Sequence, residues 1–172
     1  RVDWEVELGI VIGRAAKYVP ADKAAEHIFG YMVTVDVSDR GGRPPDSRPG
    51  SDWFVGKGHD TFAPMGPWIV PKEFYGDPMK RLRQTLTIDG KVVQEPGASD
   101  MIYPGDVVNN GTSGGTGMGQ AYRGAERFLK PGEKFTAAID GIGSITMNVV
   151  AEPAPPPGTG SRLPAVSSYR KQ

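Results

Sequence analysis

A mainly β fold of the α+β class is what this sequence predicts, and three observations predict it. The 24 glycines and 16 prolines fall between apolar runs instead of forming one low-complexity block, the pattern of short strands joined by tight turns. Several of those runs alternate apolar with polar residues, as a strand does when one face lies in a core. Two pairs of runs flank turn residues at hairpin spacing. A length of 172 residues suits one compact domain, which at that size buries roughly two thirds of its unfolded surface.

The first strand covers residues 2–12, where Val2, Trp4, Val6, Leu8, Ile10 and Ile12 alternate with Asp3, Glu5, Glu7, Gly9 and Val11. Glu5 and Glu7 therefore project together from the face opposite the apolar one. Pro20 and Asp22 open a short helix over residues 21–29, and Gly30 is placed to close it. A second strand over residues 31–38 carries Asp36 near its end. Residues 41–52, crowded with proline, glycine and arginine, read as an exposed loop or insertion. Residues 53–70 contain Gly56-Lys57-Gly58-His59-Asp60 and then Ala63-Pro64-Met65-Gly66-Pro67-Trp68. Their prolines exclude a central strand and favour an ordered, winding segment beside a site. Residues 82–88 and 92–94 flank Asp89-Gly90, the strongest hairpin signal in the chain, and residues 135–139 and 144–151 flank Gly141-Ile142-Gly143 as a second hairpin. The tail, 153–172, has the proline, serine and basic content of a disordered segment; we expect it to lie against the domain or a neighbouring subunit.

Charge and composition narrow the function classes. Acidic and basic residues balance at 20 each, so no long-range field draws the protein to nucleic acid or to an anionic membrane. Cysteine is absent, which excludes disulfides, thiolate metal sites and a cysteine nucleophile in these residues and suits a reducing compartment, the cytoplasm being the expectation. No apolar run approaches the roughly 20 residues of a membrane-spanning helix. Arg1-Val2-Asp3 begins mid-pattern, not as a signal peptide, and suggests truncation at the start.

Two glutamates at i and i+2 on one strand face hold like charges together, which is costly unless a cation or proton compensates. A hard divalent ion such as Mg²⁺ would do so, with Asp36 as the natural third ligand if its strand lies alongside the first. The same spacing also fits a merely solvated acidic face. Lys57 alone reads as a surface lysine, and Arg40 could simply pair with Asp39 or Asp36. The glycine-rich stretch 111–119 lacks the Gly-Lys-Ser/Thr ending of a phosphate-binding loop. His27 reads as a structural residue of the short helix; His59, two residues from Lys57, is a candidate for substrate contact or proton shuttling.

The order of motifs along the chain resembles the fumarylacetoacetate hydrolase family in its C-terminal catalytic domain. Asp3-Trp4-Glu5-Val6-Glu7-Leu8-Gly9-Ile10-Val11-Ile12-Gly13 is similar to that family's opening strand, and Val35-Asp36-Val37-Ser38-Asp39-Arg40 to its next motif. Gly56-Lys57-Gly58-His59-Asp60-Thr61-Phe62, followed by Pro64, Gly66 and Pro67, is similar to its lysine segment. Ser99-Asp100-Met101-Ile102, Gly105-Asp106-Val107-Val108 through Gly111-Thr112, Phe128-Leu129-Lys130-Pro131-Gly132 and Gly141-Ile142-Gly143 continue the series. The resemblance covers most of residues 2–152 and implies a catalytic domain over 1–152. It implies mixed, twisted sheets rolled around a metal pocket, with Glu5, Glu7 and Asp36 as metal ligands. Lys57 and Arg40 are then catalytic and substrate-binding, His59 an added catalytic candidate, and Thr112 with Gly111 substrate-binding. Mg²⁺ is the implied cofactor, with Mn²⁺ and Ca²⁺ as alternatives, and a homodimer the implied assembly.

Three departures bear on substrate choice and mechanism. The family's acid after the arginine is Gly41 here, and its glutamine a few residues later falls on Arg43. Between Tyr103 and Gly105, where the family carries a helix of several turns, only Pro104 stands, so either residues are missing or the protein has lost that helix. The upstream histidine and glutamate that activate water in the family have no counterpart after Arg1. The implied reaction is hydrolysis of a carbon–carbon bond in a diketo acid, an acylpyruvate or a sugar-derived 2,4-diketo acid, through a metal-stabilised enolate. An oxaloacetate-type decarboxylase, a hydroxy-dienoate isomerase and a non-catalytic binder of metal or small acid remain the alternatives.

Overall fold

A computed structural model describes residues 1–41, 53–95, 112, 114–119 and 127–151. Within them, every strand pair is antiparallel, so these residues supply antiparallel sheets where mixed ones were expected. β1 (Val2–Asp3) pairs with β4 (Ser38–Asp39). β2 (Val6–Ile12), β3 (Ile28–Val35) and β5 (Met65–Pro71) form a three-stranded sheet in the order β2-β3-β5. β6 (Gln84–Ile88), β7 (Lys91–Gln94), β8 (Lys134–Ile139) and β9 (Gly143–Asn148) form a four-stranded sheet in the order β7-β6-β8-β9. Three short helices complete the set: α1 (Trp53–Lys57), α2 (Lys72–Tyr75) and α3 (Pro78–Arg81).

The two larger sheets lie against each other, β2 and β3 facing β6 and β8, with β5 beside β9. Alternate residues from both meet in one core: Val6, Leu8, Val33 and Val35 from one sheet, Leu86, Ile88, Phe135, Ala137 and Ile139 from the other. Trp4 is fully buried in the same core. Burial of this alternating set is the main favourable term, at about 25 cal/mol per Å² of apolar surface removed from water.

Both hairpins form where turn chemistry placed them. Asp89 and Gly90 sit at φ 47° and 78° between β6 and β7, the left-handed pair that a two-residue turn matched to strand twist requires. Gly141, at φ 77°, turns the chain from β8 into β9. The proline-bearing segment, expected to wind beside the site, instead forms the strand β5; as expected it is not a central strand, since among the described residues it lies at a sheet edge, where missing N–H donors cost little.

The region after residue 20 differs from expectation. The helical turn is a 3-10 stretch, Ala21–His27, with no buried residue, and β3 begins at Ile28, three residues before the expected start. Gly30 does not cap a helix; it lies in the strand, where a Cβ would stand 2.3 Å from the carbonyl oxygen of Val70. Strand pairing on both sides of β3 outweighed local capping preference, and glycine serves close approach of β5. The first strand is likewise broken, into β1 and β2, around Trp4 and Glu5. The tail 153–172, most of the loop 41–52, and the segment from Ser99 to Gly111 with its Tyr103–Gly105 junction lie outside the described residues.

Candidate metal centre

Antiparallel pairing of β2 with β3 sets Val6 opposite Val35, and one step beyond, the Asp36 N–H donates to the Glu5 carbonyl at 2.9 Å. Asp36 therefore enters beside Glu5 just past the end of β3. One oxygen each from Glu5, Glu7 and Asp36 lies within 4.8 Å of the others. The two glutamates are each only 6% exposed, which argues against a freely solvated face: the side opposite Val6 and Leu8 turns into a recessed space.

Cations approach this cluster from β4 and α1. Arg40 reaches back from the end of β4, its Nη2 pairing with Glu5 Oε1 and its Nε donating to Asp3 Oδ2 at 3.3 Å. Lys57, at the end of α1, pairs with Asp36 Oδ2 and stands 4.0 Å from Glu5 Oε2. The Trp53 ring lies under both, 5.7 Å from the Arg40 guanidinium and 4.7 Å from the Lys57 ammonium, a cation–π arrangement that holds the two side chains toward one space. That space is a cavity of about 550 Å³, whose walls include the three acids, Arg40, Lys57, Trp53 and Thr112.

Burial pushes the Glu5 carboxyl up, against the opposing pull of Arg40 and Lys57. Glu7 is pushed up to about 7, by burial first and then by Asp36 and Glu5. Among the described residues, Glu7 alone of the three acids has no hydrogen-bond donor or ion-pair partner. Four carboxylates (Asp3, Glu5, Glu7 and Asp36) meet two cations (Arg40 and Lys57), which leaves two negative charges uncompensated when all are ionised. Three converging hard oxygen donors with that excess fit a divalent cation of the Mg²⁺ or Mn²⁺ type.

The remaining sequence candidates divide. Thr112 lines the cavity, its Oγ1 accepting from Gln94 Nε2 at 2.9 Å. Gly111 lies outside the described residues. His59 turns to Asp39, 3.8 Å from its Oδ2, packs at a tilt against Phe62 and is not among the cavity walls. His27 closes the 3-10 stretch.

Sequence reasoning missed Asp3, Gln94, Trp53 and the segment 116–119. Gln94 accepts from the Val6 N–H at 3.1 Å while donating to Thr112, and so ties β2 to the cavity wall through β7. β7 reads Lys91-Val92-Val93-Gln94, without apolar alternation, so no local signal set Gln94 apart. Trp53 gave none either, because its role depends on two cations that arrive from separate elements.

The fumarylacetoacetate (FAA) hydrolase C-terminal family model matches residues 1–104. A mitochondrial oxaloacetate tautomerase of Bos taurus is 36% identical over 165 residues, 87% of this chain and 51% of its own length. An uncharacterized protein of Pyrococcus abyssi is 38% identical over 168 residues, 88% of this chain and 69% of its own. A maleylpyruvate hydrolase structure from Sphingobium sp. SYK-6, in complex with manganese(II) and pyruvate, superposes with a TM-score of 0.68 at 25% identity, covering 87% of this chain and 54% of that one. The chain spans about half the length of most curated relatives it matches. No helix among the described residues is long and apolar enough to cross a membrane.

Proposed function

Because the chain belongs to the fumarylacetoacetate hydrolase family, we propose that it forms the metal-centred core of an enzyme acting on a short keto or diketo acid. Glu5, Glu7 and Asp36 would hold the ion, Mg²⁺ being the proposed one. The observation that carries this reading is the convergence of three buried carboxylate oxygens within 4.8 Å, in one cavity with Arg40 and Lys57.

A divalent cation bound there supplies Lewis-acid polarisation of a substrate carbonyl. The protein's own groups do the rest. Arg40 and Lys57 offer N–H donors to the substrate carboxylate and to the negative charge that grows on its carbonyl oxygen. The Thr112 hydroxyl, held by Gln94, adds a fixed polar contact on the same wall. The Trp53 ring lines the same space and lies against both cations. The leading reaction is hydrolysis of a diketo acid: the water oxygen joins the distal acyl carbon, the carbon–carbon bond breaks, and its electron pair leaves as an enolate that takes up a proton. Homodimer assembly and a cytoplasmic location are proposed with it.

A second reading is tautomerisation, isomerisation or decarboxylation through the same enolate, without an attacking water. The oxaloacetate tautomerase among the relatives supports it. One experiment separates these. Full-length protein is stripped of metal, reconstituted with Mg²⁺ and offered acylpyruvates, sugar-derived diketo acids, oxaloacetate and hydroxy-dienoates. Metal-dependent turnover is expected, and its products distinguish hydrolase from tautomerase, isomerase or decarboxylase. No turnover of any of them, with no Mg²⁺ binding, defeats the proposal and leaves a non-catalytic homologue.

A further inference from the structure

Residues 114–119 supply no carboxylate to the proposed ion, yet Thr116, Met118 and Gly119 form part of the cavity wall. What holds that wall is a carboxylate near the start of the given sequence, 114 residues away from Gly117. Asp3 is fully buried, and both of its oxygens are saturated. Oδ1 accepts from the Trp4 N–H at 2.8 Å and the Gly117 N–H at 2.6 Å. Oδ2 accepts from the Met118 N–H at 3.0 Å and from Arg40 Nε at 3.3 Å.

The glycine at 117 is a condition of this contact. A Cβ there would stand 1.8 Å from the Arg127 carbonyl oxygen and 2.9 Å from Asp3 Oδ1, so only a bare backbone fits between them. The Arg127 N–H closes the other side, donating to the Gly117 carbonyl at 3.3 Å. The N–H groups of 117 and 118 are thus committed to Asp3, and this part of the glycine-rich run is a wall segment instead of an anion cradle.

We propose that Asp3 is a positioning residue for the keto-acid site: its single carboxylate fixes segment 116–119 and the Arg40 guanidinium relative to each other, and so shapes the side of the cavity that meets the substrate. The inference rests on the function proposed above. Arg40 is held by one arm to Asp3 and by another to Glu5. Without the Asp3 carboxylate the guanidinium is free to turn wholly toward Glu5 and the 116–119 backbone loses two acceptors; asparagine keeps one acceptor oxygen but sets an NH2 donor against the donors on the other side.

The test uses full-length protein, the Asp3→Asn and Asp3→Ala variants, and calorimetry with Mg²⁺ and then oxalate, a small chelating diacid, as probes. Folded Asp3→Asn protein is expected to keep its Mg²⁺ affinity within about threefold, while oxalate binding and kcat/KM each fall at least about tenfold. On an Arg40→Ala background the same change is expected to cost less than it does alone, because one of the two things Asp3 positions is already gone. Unchanged oxalate affinity in the folded variant, or full additivity with Arg40→Ala, overturns the proposal. If neither variant folds, hydrogen exchange on the wild-type protein decides: Gly117 and Met118 amides are expected to exchange as slowly as those of β2, and fast exchange there overturns it. A wild-type protein that binds neither probe sinks the functional reading and this inference together; one that binds both, with an indifferent Asp3→Asn variant, sinks this inference alone.

Discussion

Two carboxylates in the same stretch of chain, Asp3 and Glu7, are both buried and face opposite electrostatic situations. Asp3 has four donors on its two oxygens; Glu7 has none among the described residues and carries a pKa pushed up to about 7 by burial and by its acidic neighbours. Burial alone therefore does not mark a functional acid. A buried charge that the fold satisfies is a fastening, and one that the fold leaves unsatisfied points to a ligand from outside.

The contrast can be broken experimentally, most forcefully at the unsatisfied end. Asp36→Ala and Glu7→Ala remove a hard oxygen from the cluster, and each is expected to lower Mg²⁺ affinity and kcat/KM by about a hundredfold or more. Full retention of both by either variant removes the proposed metal site. At the satisfied end the loss should fall on stability. Asp3→Ala strands buried donors and half-releases Arg40, for an expected cost of about 3 kcal/mol in urea unfolding; a cost within experimental error would show that these contacts carry little.

Proton linkage gives the next effect, and its sign is opposite to that of a salt-bridged acid. Burial and its acidic neighbours push the Glu7 carboxyl up to about 7 from an ordinary 4.5, so between those values the folded protein holds the proton more tightly than the unfolded chain. Metal-stripped protein should thus lose stability as pH rises from about 4.5 to 7 and level off above, with Glu5, shifted the same way, adding to the slope. Glu7→Gln should flatten that slope and raise the melting temperature of the stripped protein at pH 8, while abolishing tight Mg²⁺ binding. A steeper slope in the variant contradicts the assignment. The smallest effect belongs to a site remote from both acids: Gly90→Ala, at φ 78° with open space around it, should cost about 1 kcal/mol through backbone strain and leave Mg²⁺ and oxalate affinity unchanged.

Much of the site was legible before any coordinates. The alternation from Val2 to Ile12 assigns Glu5 and Glu7 to one face because strand side chains repeat every two residues. Asp89-Gly90 and Gly141 specify their turns through backbone angles that few other residues adopt. Lys57, Arg40 and Asp36 were legible through family resemblance, and the structure brings all three to the same cavity. The helical run expected over 21–29 forms as a 3-10 stretch that ends at His27; its close at Gly30 differs because glycine has two local meanings, a cap or a close approach, and only the arrival of Val70 distinguishes them.

What the sequence determined by itself is local: which residues share a face, where the chain turns, and which acids stand close enough to repel. Only the tertiary structure decided which of those acids is neutralised. Three of the four donors on Asp3 come from Arg40, Gly117 and Met118, and the counter-charges on Glu5 and Asp36 come from Arg40 and Lys57, all of them well separated along the chain from the acid they meet. Charge compensation depends on separation in space, and no local periodicity encodes it.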